Sequence, residues 1–60
     1  MTMYIVSGDF RGKCFAKRMD GGTTWTENRS EADKFTADET AGIITGAPKI
    51  ITGLSVERAL

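Results

Sequence analysis

Few side chains in this sequence have the type or the spacing that catalysis requires. The chain has no histidine and a single cysteine, Cys14, which excludes His/Cys metal sites and Ser-His or Cys-His nucleophile pairs. The adjacent carboxylates of Asp38 and Glu39 would point about 100° apart on a helix, and capping and the helix dipole already account for both. We therefore predict a protein that is not an enzyme and that has no cofactor and no metal.

Two further groups look reactive but have simpler explanations. Cys14 lies in a predicted strand, where a lone cysteine is usually a small core residue and not a nucleophile. The glycines of Gly8-x-x-x-Gly12-Lys13 are too close together for a phosphate-binding loop, which also needs a hydroxyl where Cys14 stands. We predict a structural role for Cys14 and no nucleotide site.

A basic and aromatic segment spans residues 10–18. Its four cations are interleaved with two phenylalanines, a composition that can track phosphates and stack bases in single-stranded nucleic acid. The residues that would bind nucleic acid are Arg11, Lys13, Phe15, Lys17 and Arg18. The alternative is a solvated strand whose charges prevent edge-to-edge association.

An acidic segment follows, in the part of the chain with helical signals. It could present a negative surface to a basic groove on a protein partner. The candidate partner-binding residues are Glu27, Glu31, Asp33, Asp38 and Glu39. The alternative is an ordinary solvated helix face.

The charge balance favours the acidic surface over the basic one. The chain carries eight basic and eight acidic side chains, so no net field attracts nucleic acid or an anionic membrane. Residues 1–19 hold four basic side chains and one acidic, whereas residues 20–45 hold two basic and six acidic. We expect a protein partner, keep nucleic acid as the alternative, and expect no membrane binding.

The length and composition predict one small globular domain over residues 1–60. The chain is 40% hydrophobic and 27% charged, and a domain of this size has a core of only about ten side chains. The sequence has no apolar run near 18 residues and no pattern of a signal peptide. A single cysteine also precludes an internal disulfide, so we expect a cytoplasmic protein.

Four segments have strand character, at residues 3–6, 13–19, 23–26 and 49–56. Asp20-Gly21-Gly22 is a strong hairpin-turn signal, because glycine supplies the positive φ angles of tight turns. In the second strand Cys14 and Ala16 should face the helices, with Phe15 on the opposite side. A glycine-bounded loop over residues 7–12 should join the first two strands.

Two short helices are predicted between residues 30 and 45. Ser30 is placed to cap the first, and Thr36 and Glu39 form a capping box that starts the second in a new direction. Gly46 should end the second helix in a left-handed conformation, with Pro48 beyond it. One uninterrupted helix is the alternative.

These elements predict an α+β fold: a small antiparallel sheet of three to four strands with two short helices packed on one face (βββααβ), the last strand at an edge. A terminal helix from Ser55 competes with the end of that last strand. The core should contain Ile5, Trp25, Phe35 and Ile44, since the chain has few other large apolar groups.

The order of these motifs resembles that of small phage and prophage proteins of unassigned function. The resemblance is carried by Tyr4-Ile5-Val6, Gly21, Trp25-Thr26 and Ala32-x-x-Phe35-Thr36-x-x-Glu39-x-Ala41-x-x-Ile44, which cover about two-thirds of the chain. These are core and capping residues, so the resemblance implies a fold and a mobile-element origin but no functional residue. By class, it implies an anti-defence protein such as an anti-CRISPR, which acts by binding.

The leading hypothesis from the sequence is therefore a small non-enzymatic protein-binding module that inhibits a host defence complex, with the acidic helices and one sheet edge as its surface. A nucleic-acid-binding protein is the alternative from a different class. A homodimer formed through a sheet edge is a further hypothesis for the partner.

Overall fold

The computed structural model describes residues 2–59 and confirms the α+β class. Its elements are β1 (Tyr4–Asp9), β2 (Lys13–Met19), β3 (Gly22–Thr26), a 3-10 turn (Arg29–Glu31), the helix α1 (Ala37–Gly46) and β4 (Thr52–Arg58). The four strands form one antiparallel sheet in the order β3-β2-β1-β4. The last strand lies at an edge, as predicted.

The two faces of the sheet are covered by different elements. Val6 and Ala16 point to the side of α1, where they form the core with Phe35. Phe15, next to Ala16, must therefore point to the other side, and there Arg29 of the 3-10 turn lies over its ring, 5.7 Å from the centroid. We call the first side the helix face and the second the turn face. Both helical segments were predicted to pack on one face of the sheet. The helix α1 does so, whereas the 3-10 turn lies on the opposite face.

The chain crosses between the two faces through a gap in the sheet. Strands β1 and β2 pair only from Ser7 to Asp9 on β1. On the N-terminal side of Ser7 the two strands separate, and the segment 33–35 lies between them. Phe35 in this segment exchanges two backbone hydrogen bonds of 2.8 Å with Tyr4 of β1. On the other side the amide of Asp33 donates to the carbonyl of Ala16 at 3.2 Å. The segment thus acts as a short extra strand.

This crossing explains why the first predicted helix is only a 3-10 turn. Asn28, and not Ser30, is its cap: the Asn28 side chain accepts both the amide and the hydroxyl of Ser30. Ala32 is already extended, with φ −64° and ψ 137°. The predicted helix from Ser30 to Phe35 was wrong because Asp33 and Phe35 use their backbone groups to pair with strands.

The second predicted helix, α1, begins as its sequence indicated. The Thr36 hydroxyl accepts the amide of Glu39 at 3.2 Å, and the Glu39 carboxylate accepts the amide of Thr36 at 2.9 Å. The predicted left-handed glycine at its end was wrong, because Gly46 is the last helical residue. Ala47 is extended, with φ −64° and ψ 143°, a conformation that the following Pro48 favours.

Strand β1 is longer than the prediction, which placed residues 7–12 in a loop. Ser7 and Gly8 are buried strand residues, and the turn is confined to residues 10–12. Gly8 is needed for packing: a Cβ at this position would lie 2.5 Å from the side chain of Ile51. This contact comes from a distant part of the chain, so local turn signals could not indicate it.

Strand β4 contains a bulge that the prediction of a strand over residues 49–56 did not include. Its register against β1 shifts between Ser7 and Asp9, and Gly53 adopts φ +60° there. Just before the strand, Ile51 is buried at 7% exposure, whereas Ile50 is 64% exposed. The strand runs on to Arg58, so the alternative of a terminal helix from Ser55 was wrong.

The core is close to the predicted one. Phe35 and Ile5 are buried. Trp25 and Ile44 are partly buried, and both pack against the cluster of Val6, Ala16 and Phe35. Cys14 and Ala16 are buried on the helix face, as the strand pattern predicted.

Replacing Phe35 with alanine should lower the free energy of unfolding by about 3 to 5 kcal/mol, because the cavity would lie in the middle of the core. Phe35 is only 2% exposed, whereas Phe10 is 41% exposed. Phe10→Ala is therefore the matched control and should cost much less. Urea denaturation of both variants measures the difference, and equal costs would contradict the central position of Phe35.

Replacing Thr36 with alanine should destabilise the protein by about 1 kcal/mol through loss of the helix cap. Thr45 is an exposed threonine inside the same helix, where alanine has the higher helix propensity. Thr45→Ala should accordingly be neutral or stabilising in thermal melts. The same sign for both variants would argue against the capping box.

Candidate partner-binding surface

The five acidic residues proposed for partner binding do not form one free surface. Three of them make contacts inside the molecule: Glu31 pairs with Lys17 at 3.5 Å, Asp33 accepts the amide of Arg18 at 2.6 Å, and Glu39 holds the Arg18 guanidinium. Glu31 lies with the 3-10 turn on the turn face, whereas Asp38 and Glu39 begin α1 on the helix face. The structure therefore separates the acidic set.

Arg18 connects β2 with the crossing segment 33–35 and with the start of α1. Its guanidinium donates to both carboxylate oxygens of Glu39 at 2.9 Å and to the carbonyl of Lys34 at 2.9 Å. It also lies over the Phe35 ring, 4.5 Å from the centroid, a favourable cation–π geometry. Arg18 is thus a structural residue that fixes the crossing segment and the start of α1.

The ionised form of the Glu39 carboxylate is favoured by its hydrogen-bond and charge partners. The backbone hydrogen bond from Thr36 and the contacts with Arg18 hold the pKa of Glu39 below its ordinary value of 4.5. A carboxylate whose pKa is lower in the folded state stabilises the fold above its unfolded pKa, and this stabilisation is lost as the pH falls through the folded pKa.

The basic and aromatic residues proposed for nucleic acid are also divided. Phe15 is 6% exposed beneath Arg29, so its ring is not available to stack on a base. Lys17 and Arg18 point to opposite faces and each is paired with a carboxylate. Arg11 lies in the β1–β2 turn beside Phe10, and Lys13 is exposed at the start of β2. These residues do not make a continuous stacking platform.

Cys14 lies in the core and not in a reactive setting. It is 4% exposed, and burial, followed by the nearby charge of Asp9, raises the pKa of its thiol. A raised pKa lowers the thiolate fraction and hence the nucleophilicity at neutral pH.

A groove lies between α1 and β3 on the helix face. It encloses about 500 Å³. Its lining is mixed: threonines and one carboxylate stand beside apolar side chains, with the half-buried Trp25 on the strand side. The lining residues are Thr23, Thr24, Trp25, Glu39, Gly42, Ile43, Gly46, Ala47 and Pro48. Gly42 and Gly46 border open space in this groove, since a Cβ at either position would have no neighbour within 4 Å.

Strand β3, which forms one side of this groove, is an edge strand. It pairs with β2 on one side, and no other strand among residues 2–59 pairs with its outer side. Its sequence from Gly22 to Thr26 contains no charge and no proline. Charges, prolines and bulges are the usual means by which proteins prevent another strand from joining an edge.

The other edge of the sheet, β4, has such protection. It carries the bulge at Gly53 and the charged residues Glu57 and Arg58. Glu57 also pairs with Arg29 across the turn face. The two edges therefore differ: among residues 2–59, β3 is the edge strand without a charged residue, and it lies beside the groove.

Sequence reasoning proposed one sheet edge as part of the surface but did not identify β3 or the groove, because it selected residues by charge. The available signal was the lack of charge over residues 22–26, between Asp20 and Glu27. That β3 would be an edge, and that α1 would leave a groove beside it, depends on the sheet order and on the helix position. Neither can be deduced from a local pattern.

Comparisons of the chain with protein-family models, with curated proteins and with solved structures give no match. Among residues 2–59 no helix is both long and apolar enough to span a membrane. The same residues contain no group of three or more potential metal ligands of the His, Cys, Asp or Glu types.

The Arg18–Glu39 contact predicts a specific pH dependence. The melting temperature of the parent protein should fall as the pH is lowered below about 4.5, because protonation removes the stabilising charge of Glu39. Glu39→Gln should melt lower than the parent at pH 7 and lose less of its melting temperature between pH 6 and pH 3. Parallel pH profiles for the two proteins would show that Glu39 contributes nothing to the acid sensitivity.

Proposed function

We propose that this protein is a non-enzymatic protein-binding module that takes an extended segment of its partner onto the outer edge of β3. The observation that carries the proposal is the combination of an uncharged edge strand with an open groove next to it. An added strand would satisfy the outward backbone groups of β3, and the groove would accept one of its side chains.

This mode of recognition uses two separate sources of affinity. Backbone hydrogen bonds along the strand supply attraction that depends little on sequence, and side-chain pockets supply specificity. Trp25 and Ile43 line the groove and are only partly buried. An apolar side chain of the partner that covers them would remove their exposed apolar surface from water, which favours binding. Large aromatic residues in such positions commonly dominate binding energy.

The internal ion pairs support this surface over the charged ones. Glu31, Asp33 and Glu39 already have partners within the fold, as do Lys17 and Arg18. A protein or nucleic acid that used these groups would have to compete with contacts that hold the fold together. Strand addition at β3 requires no such exchange.

A larger protein is a better partner for β3 than a second copy of the chain. A strand of five residues is about 17 Å long, and pairing of two such edges alone would bury less than the roughly 1,000 Å² expected of a stable interface. A larger partner can add contacts around the strand. The resemblance to small phage proteins supports a bacterial protein complex as that partner, with inhibition as the result of occupying one of its segments in the cytoplasm.

Filling the groove at Gly42 should abolish partner binding without weakening the fold. Gly42→Leu places an isobutyl group in open space, and replacing a mid-helix glycine should raise the stability by about 0.5 to 1 kcal/mol. Gly42→Ala is the matched control, because it gives the same helix stabilisation but leaves most of the groove open. The measurement is affinity capture from a bacterial host lysate with quantification by mass spectrometry.

The proposal requires a protein that is retained by the parent and by Gly42→Ala but lost with Gly42→Leu. Recovery of the same protein with Gly42→Leu would contradict the use of the groove. A partner lost instead on reversal of Glu31 or Asp38 would favour the acidic surfaces.

A further inference from the structure

The charges around β3 restrict the kind of segment that it can accept. Asp20 lies in the β2–β3 turn, two residues before β3 begins, and Glu27 directly follows the strand. Both are exposed, and among residues 2–59 neither has an ion pair or a side-chain hydrogen bond. They differ in this respect from Glu31, Asp33 and Glu39.

Between these two acids the edge is uncharged. Thr23 and Thr24 present hydroxyls, and Trp25 presents an apolar surface to the groove. Glu39 is the one carboxylate among the lining residues, and both of its oxygens accept hydrogen bonds from Arg18. The cations opposite the threonines on β2, Lys17 and Arg18, are paired with Glu31 and Glu39. The middle of an added strand thus meets neutral groups and its two ends meet acids.

We infer that the segment bound at β3 is an extended, basic-flanked peptide: a short central run of β-branched or other apolar residues with a lysine or arginine near each end. This inference rests on the proposed strand addition and adds the chemistry of the partner to it. The central side chain that points to the helix face enters the Trp25–Ile43 groove. The terminal cations pair with Asp20 and Glu27.

The size of the strand sets the spacing of these features. With five residues in β3 and about 3.4 Å per residue in antiparallel pairing, the two cations should be separated by about five residues. A peptide that is acidic at those positions would place like charges together at both ends. Specificity therefore includes a repulsive element as well as an attractive one.

Trp25 provides a direct optical test, because it is the chain's single tryptophan and lines the groove. The probe is the capped peptide acetyl-Lys-Thr-Val-Ile-Val-Thr-Lys-amide, which has no aromatic residue and no terminal charges. It is titrated into the 60-residue protein while the Trp25 emission is followed. Versions with glutamine or glutamate in place of both lysines test the charge, and a version with N-methylated central amides tests the backbone pairing.

The basic peptide should shift the Trp25 emission to the blue and bind about three- to tenfold more tightly than the glutamine version, with the glutamate version weaker still. The preference should decrease at 1 M salt, where screening acts over about 3 Å. Glu27→Gln should reduce the preference for lysine over glutamine about two- to threefold. Asp38→Asn removes one acid that is also exposed but lies on α1, away from β3, and it should leave the preference unchanged.

The outcomes separate the two proposals. Equal binding of the lysine, glutamine and glutamate peptides, with loss of binding on N-methylation, would overturn the basic-flanked partner and leave strand addition standing. Binding that survives N-methylation or Gly42→Leu, or no response of Trp25 to any peptide at millimolar concentration, would overturn both. A Trp25 shift that follows protein concentration alone, with dimers in sedimentation, would assign the edge to a second copy of the chain.

Discussion

The passage of residues 33–35 between β1 and β2 is the constraint on which the rest of the structure depends. Phe35 pairs with Tyr4 and Asp33 with Ala16, so the backbone groups in the gap of the sheet are satisfied by this segment. A buried backbone group without a partner would cost about 1–3 kcal/mol. The crossing places the 3-10 turn on one face and α1 on the other, and it carries the Phe35 ring into the core. A chain of this size thereby covers both faces of its sheet.

The same crossing determines which charges are free. Arg18 lies next to the segment and is held by Glu39 and the Lys34 carbonyl, while Lys17 on the turn face meets Glu31. Individually such exposed pairs contribute little to stability, because solvent screens them. Together they connect the basic strand with the acidic helical region, which explains why two groups of residues with opposite charge in the sequence do not become two binding surfaces. The free acids Asp20 and Glu27 remain at the ends of β3.

Features governed by neighbouring residues could be predicted from the sequence. The β2 strand, the Asp20-Gly21-Gly22 turn and the Thr36–Glu39 capping box depend on contacts within a few positions, and all three are present. The failures have distant causes. Phe35 pairs with Tyr4, so a helix cannot continue to it. Gly8 accommodates Ile51, and the bulge at Gly53 reverses the alternation of the last strand. The groove depends on the sheet order as well, and it was missed for the same reason.

The most direct test of strand addition is backbone amide hydrogen exchange, followed by NMR on the protein alone and with its bound partner or peptide. In the free protein, the β3 amides that point away from β2 should exchange quickly, because they have no partner among residues 2–59. On binding, alternate amides of β3 should become strongly protected, whereas β4 should change little. Protection confined to β4, to α1 or to the 3-10 turn, with β3 still exchanging quickly, would contradict the account.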